Sequence, residues 1–253
     1  MLNILNNSII PVLIIIFSLL IIFYILNFKK NNMYKKYIEE FNTIDKNNWI
    51  ILLTTCVKPQ IKKFNNIEHN EKELNERKDL YIKQINRWLN ETNFKIVVVD
   101  SSGYTFPEIN NENLIVISFI LDNKYDSSSQ YEANSIVYAI DKIKEMDFFK
   151  NCTHILKVTG RYFLENIDSA LSNIEQFKDL YLQYHRQDEL KWQNTEYFGI
   201  KKELILSMLY PILNNGLMEH NLYNFSTNKS YTFIGKFKND IRRGGDNLLI
   251  EEL

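Results

Sequence analysis

Three apolar runs in this chain end in residues that could do chemistry. They are Thr54-Thr55 after "WIILL", Asp100-Ser101 after "KIVVV", and Thr159-Gly160-Arg161 after "HILKV". Lys157 stands two residues before Thr159, the spacing that puts both side chains on one face of an extended strand. An ammonium is a point charge and a guanidinium a planar fork, so Lys157 and Arg161 together suit phosphate oxygens. Gly160 carries no side chain, which lets backbone turn sharply or approach a ligand closely. Asp100 could contact a ligand or cap the turn that follows it. Farther along, Glu219 lies in "MEHN", where a carboxylate could serve as a general base or stand solvated in the first turn of a helix. Arg242-Arg243-Gly244-Gly245-Asp246 reads as a basic flexible closure or as a plain surface turn.

Each of these residues has an ordinary alternative. Arg161 could pair with a surface carboxylate, and Lys157 could snorkel from a sheet edge. Glu132, in "SQYEAN", reads as a first-turn helix carboxylate favoured by the macrodipole, ahead of an acceptor for sugar hydroxyls. Tyr162, Phe163, Tyr197 and Phe198 read as core, although Tyr197 lies near a loop from which it could stack on a sugar. His154 and His185 read as structural.

The elements that must position these residues follow from the pattern. "WIILLTTCV" (49–57), "FKIVVVDSSG" (94–103) and "NLIVISFI" (113–120) are apolar runs of strand length, as a sheet covered on both faces requires. Helical spacing appears over about 71–90, where Leu74, Leu80 or Tyr81, Ile85 and Trp88-Leu89 mark one face, and over about 129–147, where Ala133, Ile136, Val137, Ile140 and Ile143 do. "HILKVTGRYFL" supplies a fourth strand. A helix near 165–177, a strand at 179–185, a loop around "RQDELKWQNTE", a short strand "EYFGI" and a helix over about 201–213 complete the reading. Strand and helix alternating from the start predict an α/β domain with a mainly parallel sheet. Ligands of such sheets sit at the carboxyl ends of the strands, where the three polar tips lie.

Composition narrows the function classes. Thirty Lys plus Arg against 31 Asp plus Glu leave a formal net charge of −1, so no global field draws the chain to nucleic acid. Cys56 and Cys152 are too few for a disulfide framework and read as buried free thiols. No G-x-x-x-x-G-K-[ST], G-x-G-x-x-G or G-x-S-x-G occurs, and the 4 His lack metal-ligand spacing.

Ile9 to Leu26 is an uninterrupted apolar run, and roughly 18 to 20 such residues suffice to cross a bilayer as a helix. No Lys or Arg precedes it, while Lys29, Lys30, Lys35 and Lys36 follow, which favours a cytosolic C-terminal side, with the lumenal side as the alternative. The expected organisation is an anchor over 1–30, a stalk over 31–48 and an α/β domain over 49–253.

The order "ILLTTC", "VVVDSSG", "SSSQYEAN", "ILKVTGRYFL", "NTEYFGIKKEL", "GLMEHNL" resembles the plan of small GT-A-type glycosyltransferases of polysaccharide-biosynthesis and large-DNA-virus kinds, over roughly residues 49–250. The resemblance implies a GT-A-like, Rossmann-like, mainly parallel sheet flanked by helices. It implies a nucleotide-sugar donor and a glycan or lipid-linked acceptor. It would place Thr54, Thr55, Asp100 and Ser101 around the nucleoside, and Lys157, Thr159, Gly160 and Arg161 beneath the sugar diphosphate. Tyr197 would fall on the acceptor side and Glu219 at the catalytic base, while Arg242 and Arg243 could close over the diphosphate. Many members hold a divalent cation with Asp-x-Asp where this chain has Thr159-Gly160-Arg161, and no Asp-x-Asp occurs anywhere, so no metal ligand is assigned and a cation-assisted site is expected, with a divalent metal as the alternative. The rival readings are a GT-A-like binding protein without turnover and a nucleotidyltransferase.

Overall fold

The computed structural model describes residues 49–59, 70–121, 125–172, 174, 176–184, 186–235 and 237. The apolar run at 9–26, the stalk, His185 and the Arg242-Arg243 tail lie outside the described residues. Among the described residues no helix is long and apolar enough to cross a membrane.

Strand β1 (Trp49–Thr55) is buried along all 7 residues, as a strand with neighbours on both edges and helices on both faces must be. It pairs in parallel with β2 (Lys95–Asp100) on one side and with β4 (His154–Thr159) on the other, while β3 (Leu114–Ser118) extends the sheet beyond β2. The next strand across, β8 (Tyr197–Lys201), runs antiparallel to β4 and to β5 (Leu180–Leu182), and β9 (Tyr231–Phe233) closes the edge parallel to β5. The order is therefore β3-β2-β1-β4-β8-β5-β9. A two-stranded hairpin, β6 (Arg186–Gln187) with β7 (Trp192–Gln193), stands apart.

Two apolar layers sandwich this sheet. Helix α1 (Glu71–Glu91) lays Tyr81, Ile85 and Trp88 on one face, joined by Ile167 and Leu171 of the short α4 (Ile167–Ser172). Helix α2 (Ser128–Ile143), the short α3 (Asp147–Asn151), α5 (Ile205–Leu213) and α6 (Met218–Ser226) cover the other, where Ala133, Ile136, Met208 and Leu222 meet Ile50, Leu52 and Phe198. Local chemistry sets the helix starts. The Asn70 side chain accepts from Glu73 N at 2.9 Å. In "SSSQ" the Ser127 and Gln130 side chains cap each other's backbone reciprocally, a capping box of the S-x-x-Q kind.

The mainly parallel sheet flanked by helices agrees with the expectation from sequence. Three details differ. The helix expected over 165–177 is confined to Ile167–Ser172, preceded by Asn166 at φ 60°. The loop around "RQDELKWQNTE" folds as the β6–β7 hairpin, turning through Lys191 at φ 48°. Strand β9 was not expected, because three residues are too few to show an alternating pattern.

Candidate active site

The direction in which the chain builds the sheet reverses at β1, since β2 and β3 are added on one side and β4 on the other. A doubly wound sheet opens a crevice at such a switch point, beyond the carboxyl ends of the two strands. The residues at those ends are Thr54 and Thr159, which sit directly opposite each other in the β1–β4 register.

Lys157 organises this end of the sheet. Its side chain is fully buried, and its ammonium lies 2.8 Å from Glu132 Oε1, 2.7 Å from the Thr195 carbonyl and 3.1 Å from Thr159 Oγ1. An ammonium has three N–H donors, and all are engaged. A buried cation is costly unless paired and fully hydrogen-bonded, so Glu132 is what makes Lys157 tolerable here. The same oxygen of Glu132 accepts from Thr54 Oγ1 at 2.6 Å. The Thr195 hydroxyl in turn donates to Glu219 Oε1 at 3.2 Å. Residues from β1, α2, β4, the turn before β8 and α6 thus form one connected polar chain on the α2 face. Of the residues singled out from sequence, this chain links Thr54, Lys157, Thr159 and Glu219.

Glu132 corrects the expectation. Helix α2 begins at Ser128, so Glu132 lies beyond its first turn, and its carboxylate faces Lys157 instead of serving the macrodipole. Glu132 and Thr195 were the missed members. The signal that could have found Glu132 is Lys157 itself: a lysine in the middle of a buried strand demands a carboxylate from whatever element covers that face.

The other face of the same strand tips is built differently. Asp100 is fully buried and accepts from five donors. Its Oδ2 takes Thr55 Oγ1 at 3.0 Å and Val57 N at 3.1 Å, and its Oδ1 takes Ser102 N, Ser102 Oγ and Tyr104 N at 2.8, 2.6 and 3.0 Å. This carboxylate ties the loop after β1 to the loop after β2. Ser101 N donates to the Thr55 carbonyl at 3.2 Å within the same knot. Cys56 sits beside it, its thiol pushed up by burial, and burial likewise pushes Cys152 to about 11, so neither is a ready nucleophile. Tyr197 also belongs to this face. Its neighbour Phe198 is opposite Lys157 in register, which turns the Tyr197 ring the other way, into the α1 layer. Its hydroxyl lies 3.0 Å from the Ile234 carbonyl and 3.1 Å from that of Gly235, and burial pushes its ionisation far up.

Gly160 has a packing reason. A Cβ there would meet Thr55 Cγ2 at 2.5 Å and the Thr54 carbonyl at 3.0 Å. The Gly160 amide instead donates to that carbonyl at 2.9 Å, drawing the end of β4 onto β1. Arg161 follows in a turn closed by Tyr162 N donating to the Thr159 carbonyl at 2.9 Å. Its Nε is buried without a hydrogen-bond partner, and its guanidinium carbon lies 5.8 Å from the Tyr162 ring centroid. Among the described residues no carboxylate pairs with it. Of the two cations expected at this strand end, one is saturated and internal and the other keeps donors in hand.

Among the described residues no group of three or more His, Cys, Asp or Glu could hold a metal ion. Of the carboxylates near the end of β4, Glu132 is already engaged by the Lys157 ammonium at 2.8 Å. His154 is part of the core, its ring stacked on Trp49 at 4.7 Å, with Nε2 3.1 Å from the Lys178 carbonyl and protonation disfavoured by burial. A hollow of about 520 Å³ between α4 and β9, lined by Ala170, Lys178, Thr232 and Gly235, contains none of the strand-tip residues.

No protein-family model matches the chain, and no curated protein matches it. Several solved structures share its outline. A protein described as a nucleotide-diphospho-sugar transferase from Desulfovibrio desulfuricans superposes with a TM-score of 0.48 at 12% identity, over 74% of this chain and 79% of that one. The bifunctional IspDF from Campylobacter jejuni gives 0.44 at 12% identity over 81% of this chain, which spans 52% of that protein. The galactosyltransferase LgtC, in complex with donor and acceptor sugar analogues, gives 0.39 at 10% identity over 72% of each chain. At such values the function has to be read from the residues of this chain.

Proposed function

We propose that this chain is a glycosyltransferase that moves a sugar from a nucleoside-diphosphate donor to a hydroxyl of a glycan or lipid-linked acceptor. Two observations carry the reading: Arg161, just past the end of β4, has no carboxylate partner among the described residues, and an ordered polar chain joins Thr54 at the tip of β1 to Glu219.

In the transfer, the acceptor oxygen forms a bond to the anomeric carbon while the bond from that carbon to the diphosphate oxygen breaks. The diphosphate leaves with the electron pair, and its growing charge needs a preorganised donor. Arg161, two residues past Thr159 at the end of β4, fits that task. Lys157 cannot bond the diphosphate directly, since its three donors are engaged, so it acts as a positioning residue for Glu132, Thr159 and the turn holding Thr195. Glu219 takes the proton of the acceptor hydroxyl. Its Oε1 is held by Thr195, and Oε2 has no partner among the described residues. Ser101 and Thr55 line the β1–β2 side, with Asp100 shaping the loops there, and Arg242-Arg243 would close over the donor. The run at 9–26 is proposed as the membrane anchor, with the domain on the cytosolic side.

The test is a screen of the purified chain against nucleotide sugars for thermal stabilisation and donor hydrolysis, with and without EDTA. One or more donors should stabilise the protein and be hydrolysed slowly in the presence of EDTA. Stabilisation by none of them would refute the donor assignment, and complete, metal-reversible loss of turnover would refute the cation-assisted mechanism.

A further inference from the structure

The far edge of the sheet carries exposed aromatic side chains. Tyr231 and Phe233 of β9 are 37% and 38% exposed, and Tyr184, just past β5, is 58% exposed. Their rings meet edge to face, Tyr184 with Phe233 and Tyr231 with Phe233, both at 5.7 Å between centroids. Beside them the Arg186 guanidinium lies 4.1 Å from the Tyr223 ring centroid and 5.2 Å from that of Tyr231. Asp188 accepts from both Arg186 Nε and the Tyr223 hydroxyl at 2.9 Å, so Arg186 is neutralised where it stands.

This edge lies on the same face of the sheet as the candidate active site, with buried core residues between the two. Lys157, Phe198, Leu182 and Phe233 are successive partners in register, so they share one row and one face of the sheet. Three strand spacings separate the ends of that row, about 14 Å. Helix α6 bridges the same gap, since Glu219 and Tyr223 are four residues apart on one side of it.

We propose that Tyr184, Tyr231 and Phe233, flanked by Arg186 and Tyr223, form a shelf for a neutral oligosaccharide, on which the acceptor chain rests while its end reaches Glu219. Three features select this occupant. The exposed ring faces match the apolar C–H faces of pyranose rings, while the Tyr hydroxyls and the Arg186–Asp188 pair offer hydrogen bonds to their edges. Among the described residues, the mutual neutralisation of Arg186 and Asp188 leaves the shelf without the cationic surplus that a phosphate, a nucleic acid or an anionic membrane would need. Helix α6 carries Tyr223 beside the shelf and Glu219, the proposed base, one turn away. The acceptor role rests on the transfer reading above, whereas the affinity for glycan does not.

The test uses the full chain in detergent. Cellohexaose, chitohexaose, maltohexaose and mannohexaose are titrated calorimetrically against the wild type, Tyr184→Ala and the double variant Tyr231→Ala/Phe233→Ala, and donor hydrolysis is measured in parallel. At least one hexaose should bind, and the double variant should weaken it about tenfold, the scale of losing about 1.4 kcal/mol of ring contact, with donor hydrolysis unchanged. The proposal is overturned if no hexaose binds or if binding is the same in the variants. It is also overturned if the variants instead shift the oligomeric state by light scattering or abolish binding to phosphatidylcholine vesicles. Hexaose binding in a wild type that hydrolyses no nucleotide sugar would keep the shelf and sink the transfer reading.

Discussion

Thr54 and Thr55 are neighbours in sequence, yet they enter two polar networks of opposite character. On the α1 face, Thr55 joins the knot around Asp100, where both carboxylate oxygens are filled from within the protein and the carboxylate is out of reach of solvent. On the α2 face, Thr54 joins a chain that runs through Glu132, Lys157 and Thr195 to Glu219, a carboxylate whose Oε2 has no partner among the described residues. Saturation separates the two. A closed network holds loops in place, while one that is firm in the middle and open at one end can hold a ligand.

That contrast can be broken by substitution. The largest effect should come from Asp100→Ala, which orphans five donors; unfolding by denaturant should show a loss on the order of 5 kcal/mol at roughly 1 kcal/mol or more per buried donor. A loss under about 1 kcal/mol would mean that the knot does not hold the loops. Next is Glu132→Ala, which leaves the Lys157 ammonium buried and unpaired, with an expected loss of about 3 kcal/mol. The double variant Lys157→Met/Glu132→Gln should recover most of that stability without recovering turnover, and recovery of both would remove the pair from the mechanism. Arg161→Ala should leave stability within about 0.5 kcal/mol. Its turnover should fall on the order of 10²-fold, as for loss of a donor to a developing anion. Wild-type rates in that variant would place the leaving group elsewhere.

The smallest effect sharpens the comparison at a site outside both networks. Lys201 at 2.8 Å, with Ser230 donating twice, holds the Asp179 carboxyl down at about 2. An unfolded Asp titrates near 3.9. Because the folded value is the lower one, the stabilisation is fully present above about pH 4 and fades as pH falls toward 2. Its size should be no more than about 1 kcal/mol, since the pair is partly solvated. Asp179→Asn should flatten the acid limb of the stability profile by that amount, and an unchanged limb would exclude the group from acid unfolding.

Much of this was legible in the sequence, and the reasons are specific. Strands β1, β2 and β4 are continuous apolar runs because helices cover them on both sides, and burial of that kind leaves a mark in composition. The shared face of Lys157 and Thr159 follows from the strand period alone. The first-turn position of Glu219 in α6 also matches its reading from sequence. What was illegible depends on register between distant segments. Glu132 reaches Lys157 across a helix crossing, the side to which Tyr197 turns is set by antiparallel pairing with β4, and the β9 shelf is assembled from fragments too short to have a period. Gly160 was legible as a position that needs no side chain, but its partner, Thr55, was not.

The contact at Gly160 also limits how this tip could change. A side chain at 160 would strike β1, so the middle of the Thr159-Gly160-Arg161 triplet is fixed by packing, while Thr159 is held by its side chain, which accepts from Lys157. Exchanging both flanks for aspartate would write an Asp-Gly-Asp pair around the same Gly160 contact, with a new carboxylate beside the Lys157 ammonium in place of the Thr159 hydroxyl. Two codons thus separate an arginine-based strand tip from a metal-binding one, and this scaffold offers a place to ask which of the two chemistries it supports better.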